Sequence, residues 1–301
     1  MTTLNSELII SLVMPAYNSA GYIQTALDSA LGQTRPPDEL IVVDDGSKDG
    51  TAEFVQRRYG DRVQVIRQTN AGPAAARNNG VRQARGNWIA FLDADDSWLP
   101  EKLERQAALI ADGVGIVHCF NEGDQPHHRP DEPEVTFEVM WRKNYIGTST
   151  ALVRKQAFEQ VQGFQEDRRY IGAEDYNLWL RIIGSGYRVA TLREPLARYT
   201  PTEHSLMSQV LRVVQGESLN VQHIAEHFHL PHEMVVQKQV AIWQEYGETL
   251  LWLRNRREAR KLYAQVLKAQ PSSRAMLNYL ATFVPTSLLN MKRRLSALVA
   301  G

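Results

Sequence analysis

The stretch WIAFLDADDSW, residues 88–98, brings three carboxylates, Asp93, Asp95 and Asp96, to the end of an apolar run. Acids this close repel one another unless a cation or a donor-rich ligand stands between them. In extended backbone Asp93 and Asp95 share one side, with Ala94 between them facing the other way. A hard divalent cation such as Mg2+ or Mn2+ takes one or two carboxylates and completes its shell with phosphate oxygens and water. Asp96 and Ser97 fit better as caps of the helix expected next. DDGSKDGT holds a second set of acids, in which Gly46 allows a sharp turn and Ser47 and Asp49 start a helix. That leaves Asp45 free to accept from a nucleobase imide. In NAGPAAARNNG, Arg77 lies one turn into a helix, where its guanidinium can reach a pyrophosphate or anchor the acids. AEDYNLW places Glu174 and Asp175 at a helix start, where the macrodipole favours them and where a general base can be held.

These groups need a frame that brings them together. Short apolar runs (ELIISLVMP, ELIVVDDGS, RVQVIRQ, NWIAFLDADD) alternate with helical periodicities. The first helix, NSAGYIQTALDSALGQT, has Asn18 or Ser19 as its expected cap. Pro73 sits in the first turn of another, where a missing N–H costs nothing. Strands repeatedly followed by crossover helices imply an α/β fold with a mostly parallel sheet covered on both faces. In such sheets ligands bind beyond the carboxyl ends of the strands. The first strand ends in Pro15, Ala16, Tyr17 and Asn18, the second in Asp44 and Asp45, the fourth in Asp93–Asp96, so three loaded strand ends converge on one crevice. Further strands are expected at IGTSTALV, YRVATL and PLARY, and a helix at EDYNLWLRIIGSG.

Lys and Arg total 34 and so do Asp and Glu, which leaves no global field to recruit nucleic acid. The single Cys119 excludes an internal disulfide and a cysteine-based zinc site, and it reads as a core thiol. The N-terminal apolar run is short and ends in Pro, unlike a signal peptide, and no run approaches the ~20 residues needed to span a bilayer. A cytoplasmic location is the expectation. NEGDQPHHRPDEP reads as a polar loop whose adjacent His127 and His128 are solvated. After about Glu203 strand signals vanish, which suggests domains at 1–203 and 204–301. There EARKLYAQVLKAQP resembles half of a tetratricopeptide repeat. In the final segment, PTSLLNMKRRLSALVAG, Leu288, Leu289, Leu295, Leu298 and Val299 lie near one face beside Lys292, Arg293 and Arg294. Peripheral membrane contact and packing on its own domain both fit that pattern.

At VMPAYN, VVDDGSKDGT, NAGPAAARNNG, FLDADD and AEDYNLWLR, the sequence resembles glycosyltransferase family 2 over roughly its first 200 residues. The resemblance implies a GT-A (Rossmann-like) α/β domain, here with an all-helical C-terminal extension. It implies an inverting transfer from a nucleotide-diphosphate sugar, uridine-linked by family habit, to a saccharide or lipid-linked acceptor in bacterial surface polysaccharide or glycolipid synthesis. By motif position, Pro15, Ala16, Tyr17 and Asn18 would line the nucleotide pocket and Asp45 would accept from the base. Arg77 would sit near the base or diphosphate. Asp93 and Asp95, with Ala94 between them, would form the Asp-x-Asp pair, Asp95 being the surer ligand of Mn2+ or Mg2+. Asp175 would deprotonate the acceptor and Glu174 support it. One departure is that ARYTPTEHSLMS puts Thr202 where many members carry a histidine, which displaces His204 from a metal-ligating place. A nucleotidyltransferase is an alternative, although PAYNSAGY lacks the basic loop it needs. A catalytically silent nucleotide-sugar-binding scaffold is another.

Overall fold

The computed structural model of the 301-residue chain describes residues 7–123, 135–200 and 210–284. His127, His128, Thr202, His204, Ser205 and the basic segment 285–301 lie outside the described residues. The chain divides into two compact units, Met1–Ser205 and Leu206–Gly301.

In the first unit, β1 (Ile10–Ala16), α1 (Ile23–Leu31), β2 (Glu39–Asp44), α2 (Thr51–Tyr59), β3 (Gln64–Arg67), α3 (Pro73–Gln83) and β4 (Trp88–Phe91) alternate along the chain. The crossover helices make β3, β2, β1 and β4 parallel neighbours, because a parallel pair cannot be joined by a tight hairpin. β1 and β4 are almost wholly buried, as expected of strands covered on both faces. The chain continues through β5 (Ser97–Trp98), α4 (Lys102–Ala107), β6 (Val114–Asn121), α5 (Phe137–Arg142), β7 (Ala151–Arg154), α6 (Lys155–Gln160), α7 (Glu174–Gly184) and β8 (Arg188–Arg198). The sheet has eight strands in the order β3-β2-β1-β4-β7-β6-β8-β5. β7 runs antiparallel to both β4 and β6, β6 pairs parallel with β8, and β5 pairs antiparallel with β8. The parallel half carries the first three motif-bearing strand ends, and the other half is mixed.

Helix α3 sits tightly on this sheet. A side chain at Gly80 would collide with Val13, so glycine permits the close approach. Arg77, three residues earlier and on the same helical face, is thereby carried to the carboxyl edge of β1 and β4.

Several local expectations are corrected. Helix α1 begins at Ile23 without a side-chain cap; Ser19 serves it through its carbonyl, which accepts from the Tyr22 and Ile23 amides. Asp96 does not cap a helix, because β5 intervenes before α4. YRVATL and PLARY are one strand, β8, whose pairing with β6 becomes irregular near Pro195. Only Ala151–Arg154 of IGTSTALV is strand, since Thr148–Thr150 form a 3-10 turn.

The second unit contains α8 (Val210–Phe228), α9 (His232–Trp252), α10 (Arg256–Ala269) and α11 (Ser273–Ala281). The Tyr246 hydroxyl donates to Glu217 and Gln239 to Ser218, tying α9 to α8. No helix among the described residues is long and apolar enough to cross a membrane.

Candidate active site

Loops at the carboxyl edge of β1 and β2 are stitched to each other. The Asn18 and Ser19 amides donate to Ser47 Oγ and Thr51 Oγ1 at 2.9 and 2.8 Å, and Ala20 N donates to Asp49. In return Asn18 Oδ1 accepts from the Lys48 amide at 2.9 Å. Asn18 adopts φ 50°, a left-handed conformation that asparagine tolerates better than most residues. This stitching leaves the neighbouring Tyr17 ring exposed at the rim, beside the buried Ala16 and half-buried Pro15.

Asp45 is 3% exposed and its carboxylate accepts three hydrogen bonds. Its Oδ1 accepts from Gln68 Nε2 and the Ala71 amide, and its Oδ2 from the Gly72 amide, each at 2.8 Å. The structure therefore makes Asp45 the anchor of the loop leading into α3. A buried carboxylate has to find donors, and this loop supplies three of them.

Arg77 occupies the middle of the site. It is 4% exposed, with Nη2 2.6 Å from Asp93 Oδ1 and Nη1 3.2 Å from Glu174 Oε1. Its guanidinium also lies over the Phe164 ring, 5.4 Å from the centroid. Burial opposes its charge, but Asp93 and Glu174 outweigh burial and push its pKa up. One side chain from α3 thus joins the acid cluster after β4 to the first turn of α7, whose Glu174 lies 97 positions from Arg77.

Glu174 is pinned a second time by the Gly172 amide, which donates to Oε2 at 2.7 Å. Next to it, Asp175 accepts from Thr148 Oγ1 at 3.2 Å, with Asn144 Nδ2 3.5 Å from its other oxygen. Burial and then the Glu174 charge push the Asp175 carboxyl up to about 7, against the Tyr176 amide, Arg77 and Thr148, which favour its ionised form. A carboxylate with that pKa is poised to take a proton near neutral pH.

Asp95 is also raised, by burial first and then by the Asp93 charge, with Arg77 offsetting part of it. Half-buried anionic charge of this kind is relieved by a cation. Among the described residues no three His, Cys, Asp or Glu side chains gather as a closed metal cage. Asp95 together with the Asp93 oxygen not facing Arg77 is nonetheless an adequate oxygen donor set for Mg2+ or Mn2+, whose remaining positions suit diphosphate and water.

Two contributors were not visible in the sequence. Ser149 Oγ donates to Asp96 Oδ2 at 2.6 Å and accepts from the Asp93 amide at 3.1 Å. Trp98 Nε1 donates to the Ser149 carbonyl at 2.7 Å. Asp96 takes a further bond from the Thr200 amide, and burial followed by the Asp93 charge pushes it up to about 7. Ser149 thus fixes the turn that presents Asp93 and Asp95. Replacing Ser149 with Ala should cost about 1–3 kcal/mol, since a buried amide and a carboxylate each lose a partner. Thermal melting reads that cost, and nucleotide release should fall with it; unchanged values in both would remove Ser149 from this role.

Comparison with known proteins identifies the family and the fold. The model of glycosyl transferase family 2 matches residues 11–162, and that described as the N-terminal domain of galactosyltransferase matches residues 135–205. A Bacillus subtilis glycosyltransferase named for teichuronic acid biosynthesis, TuaG, is 30% identical over 216 residues, covering 68% of this chain and 83% of its own. The amylovoran biosynthesis glycosyltransferase AmsB of Erwinia amylovora is 32% identical over 213 residues, covering 64% of this chain and 70% of its own. Among solved structures, S. aureus TarS 1-349 with UDP-GlcNAc superposes with a TM-score of 0.65 at 22% identity, covering 89% of this chain and 83% of TarS 1-349. The mannosyltransferase PcManGT from Pyrobaculum calidifontis, with GDP-Man and Mn2+, also has a TM-score of 0.65 at 22% identity, covering 96% and 80%. The fold is GT-A, and the chain belongs to glycosyltransferase family 2.

Proposed function

We propose that this glycosyltransferase moves a sugar, with inversion, from a uridine diphosphate sugar to an acceptor hydroxyl of a surface polysaccharide or its lipid-linked precursor. The observation that carries the reading is the Arg77 bridge, which gathers Asp93 and Glu174 and so brings Asp95 and Asp175 around one guanidinium. The names of TuaG and AmsB support polysaccharide assembly, and the TarS and PcManGT complexes support a nucleotide-diphosphate sugar donor, with uridine taken from family habit.

In this mechanism Asp175 accepts the proton of the acceptor hydroxyl as its oxygen attacks the anomeric carbon. The bond from that carbon to the diphosphate breaks on the opposite face, which inverts the centre. Thr148 orients the Asp175 carboxylate, and Glu174 is held off the proton by its own two donors. Arg77 keeps Asp93 aligned and places positive charge beside the cluster, where negative charge develops on the leaving group. When bound at Asp95 and Asp93, Mn2+ or Mg2+ supplies Lewis-acid neutralisation of the diphosphate. Tyr17, exposed at the rim, is placed to stack on the nucleobase.

The test is release of nucleoside diphosphate from a panel of nucleotide sugars, with an acceptor oligosaccharide, in Mn2+ or in chelator. Alongside it, uridine diphosphate should raise the melting temperature with Mn2+ or Mg2+ and leave it unchanged in chelator. An equal rise in chelator would overturn the cation requirement, and release from guanosine donors alone would overturn the uridine assignment.

A further inference from the structure

Behind the acid turn, helix α4 buries two polar side chains that the transfer mechanism does not use. Lys102 and Gln106 are both 0% exposed. A buried ammonium is costly unless opposite charge or dipoles compensate it. Among the described residues no carboxylate pairs with this one. Instead Lys102 Nζ donates to Gln106 Oε1 at 2.7 Å and sits over the Trp98 ring, 4.0 Å from its centroid. Burial pulls its pKa down to about 8, which leaves it mostly charged at neutral pH. Methionine has a similar length and would pack here without that cost. The charge therefore calls for a role other than filling space.

Both partners of the ammonium end on one short turn. Trp98 Nε1 donates to the Ser149 carbonyl at 2.7 Å. Gln106 Nε2 donates to the Thr150 carbonyl at 2.9 Å and to the Val117 carbonyl at 3.1 Å. A lysine can only donate, so by occupying Oε1 it fixes which end of the Gln106 amide turns toward those carbonyls. Lying over the indole face, it draws density from the ring and makes Nε1–H a stronger donor. The other side of the same turn faces the acids. Ser149 Oγ donates to Asp96 and accepts from the Asp93 amide, while Thr148 Oγ1 donates to Asp175. Residues 148–150 thus touch both the segment that would hold a cation and the carboxylate that would act as base.

We propose that Lys102 is a positioning residue for sugar transfer: through Trp98 and Gln106 it holds the Thr148–Thr150 turn, and that turn keeps the Asp93 segment and Asp175 in register with one another. The role presupposes the transfer reaction. A misplacement of ~1 Å at either acid is enough to lower turnover by about 100-fold.

Lys102→Met is the direct test, because methionine keeps the stem but neither donates to Gln106 nor polarises Trp98. Its kcat should fall about 10- to 100-fold while KM for the nucleotide sugar is unchanged, since donor binding in the ground state does not need the base aligned. The melting temperature should stay within a few degrees of the unaltered protein's, because losing a hydrogen bond and relieving a buried charge oppose each other. In proton NMR spectra the Trp98 indole N–H, assigned with Trp98→Phe, should move upfield and exchange faster. Trp98→Phe keeps an aromatic face for the ammonium and removes the tie to Ser149, so it should show the same loss of kcat at constant KM even if Lys102→Met folds poorly. Unchanged kcat in either folded variant, a loss confined to KM, or an unmoved indole signal in Lys102→Met would overturn the positioning role. Absence of nucleotide release by the unaltered protein would instead overturn the transfer reaction, and the positioning role with it.

Discussion

Asp175→Asn should lower the turnover of donor and acceptor by about 10²- to 10⁴-fold while leaving donor binding intact. Asparagine keeps the shape and retains an acceptor for Thr148, but it cannot take a proton. The pH dependence separates this from a loss of structure. With its carboxyl raised to about 7 by burial and the Glu174 charge, Asp175 is ionised above that value and protonated below it. The kcat/KM of the unaltered enzyme should therefore fall about tenfold per pH unit below about 7, and the residual rate of the variant should lack that limb. A variant that keeps full activity, or a profile identical in both proteins, would remove Asp175 as the base.

The same shift predicts a stability effect of opposite sense. The folded protein holds the Asp175 proton more tightly than the unfolded chain, whose aspartates titrate near 4. As pH rises from about 4 to about 7, the folded state loses stability relative to the unfolded one, and the deficit then persists. Neutral asparagine abolishes it. Asp175→Asn should melt a few degrees above the unaltered protein at pH 8 and at the same temperature near pH 4. Strain kept at a reactive carboxylate would then appear as stability gained when function is lost.

The physical reach of single-sequence reasoning explains which of these features were legible. Strand ends such as Asp44 and Asp93 announce themselves locally, because an apolar run must stop before a polar turn. The meeting of Asp93 with Glu174 was only implied by the rule that parallel sheets bind ligands at one edge, and Arg77 was left with two roles. The geometry makes it the anchor of the acids. Asp45 was the harder case. An acid after a strand looks free in sequence, yet its donors, the Ala71 and Gly72 amides, are backbone groups that any sequence would possess. Ser149 was hidden for a related reason, since GTST is unremarkable until the fold brings it across 53 positions to Asp96. β8 was divided in two at Pro195, although a strand tolerates proline where its ladder is already irregular.

Arg77→Met should cost about 3–5 kcal/mol of stability and nearly all activity. The reason lies in what remains more than in what is removed. Methionine can fill the space beside Phe164, but Asp93 and Glu174 lose the cation that compensates them, and Glu174 stays buried. Breaking a buried ion pair from one side leaves an uncompensated charge, which is the expensive outcome. Arg77→Lys should recover only part of the loss, because one ammonium cannot reproduce a planar fork with separate donors toward two carboxylates. The lysine variant distinguishes lost charge from lost packing: it restores a cation beside the two acids and should melt between Arg77→Met and the unaltered protein. Melting curves of the three proteins at one pH provide the check. Equal melting of the methionine and lysine variants would reduce Arg77 to a packing residue, and no deficit at all would mean that the bridge between the two acid clusters does not hold the site together.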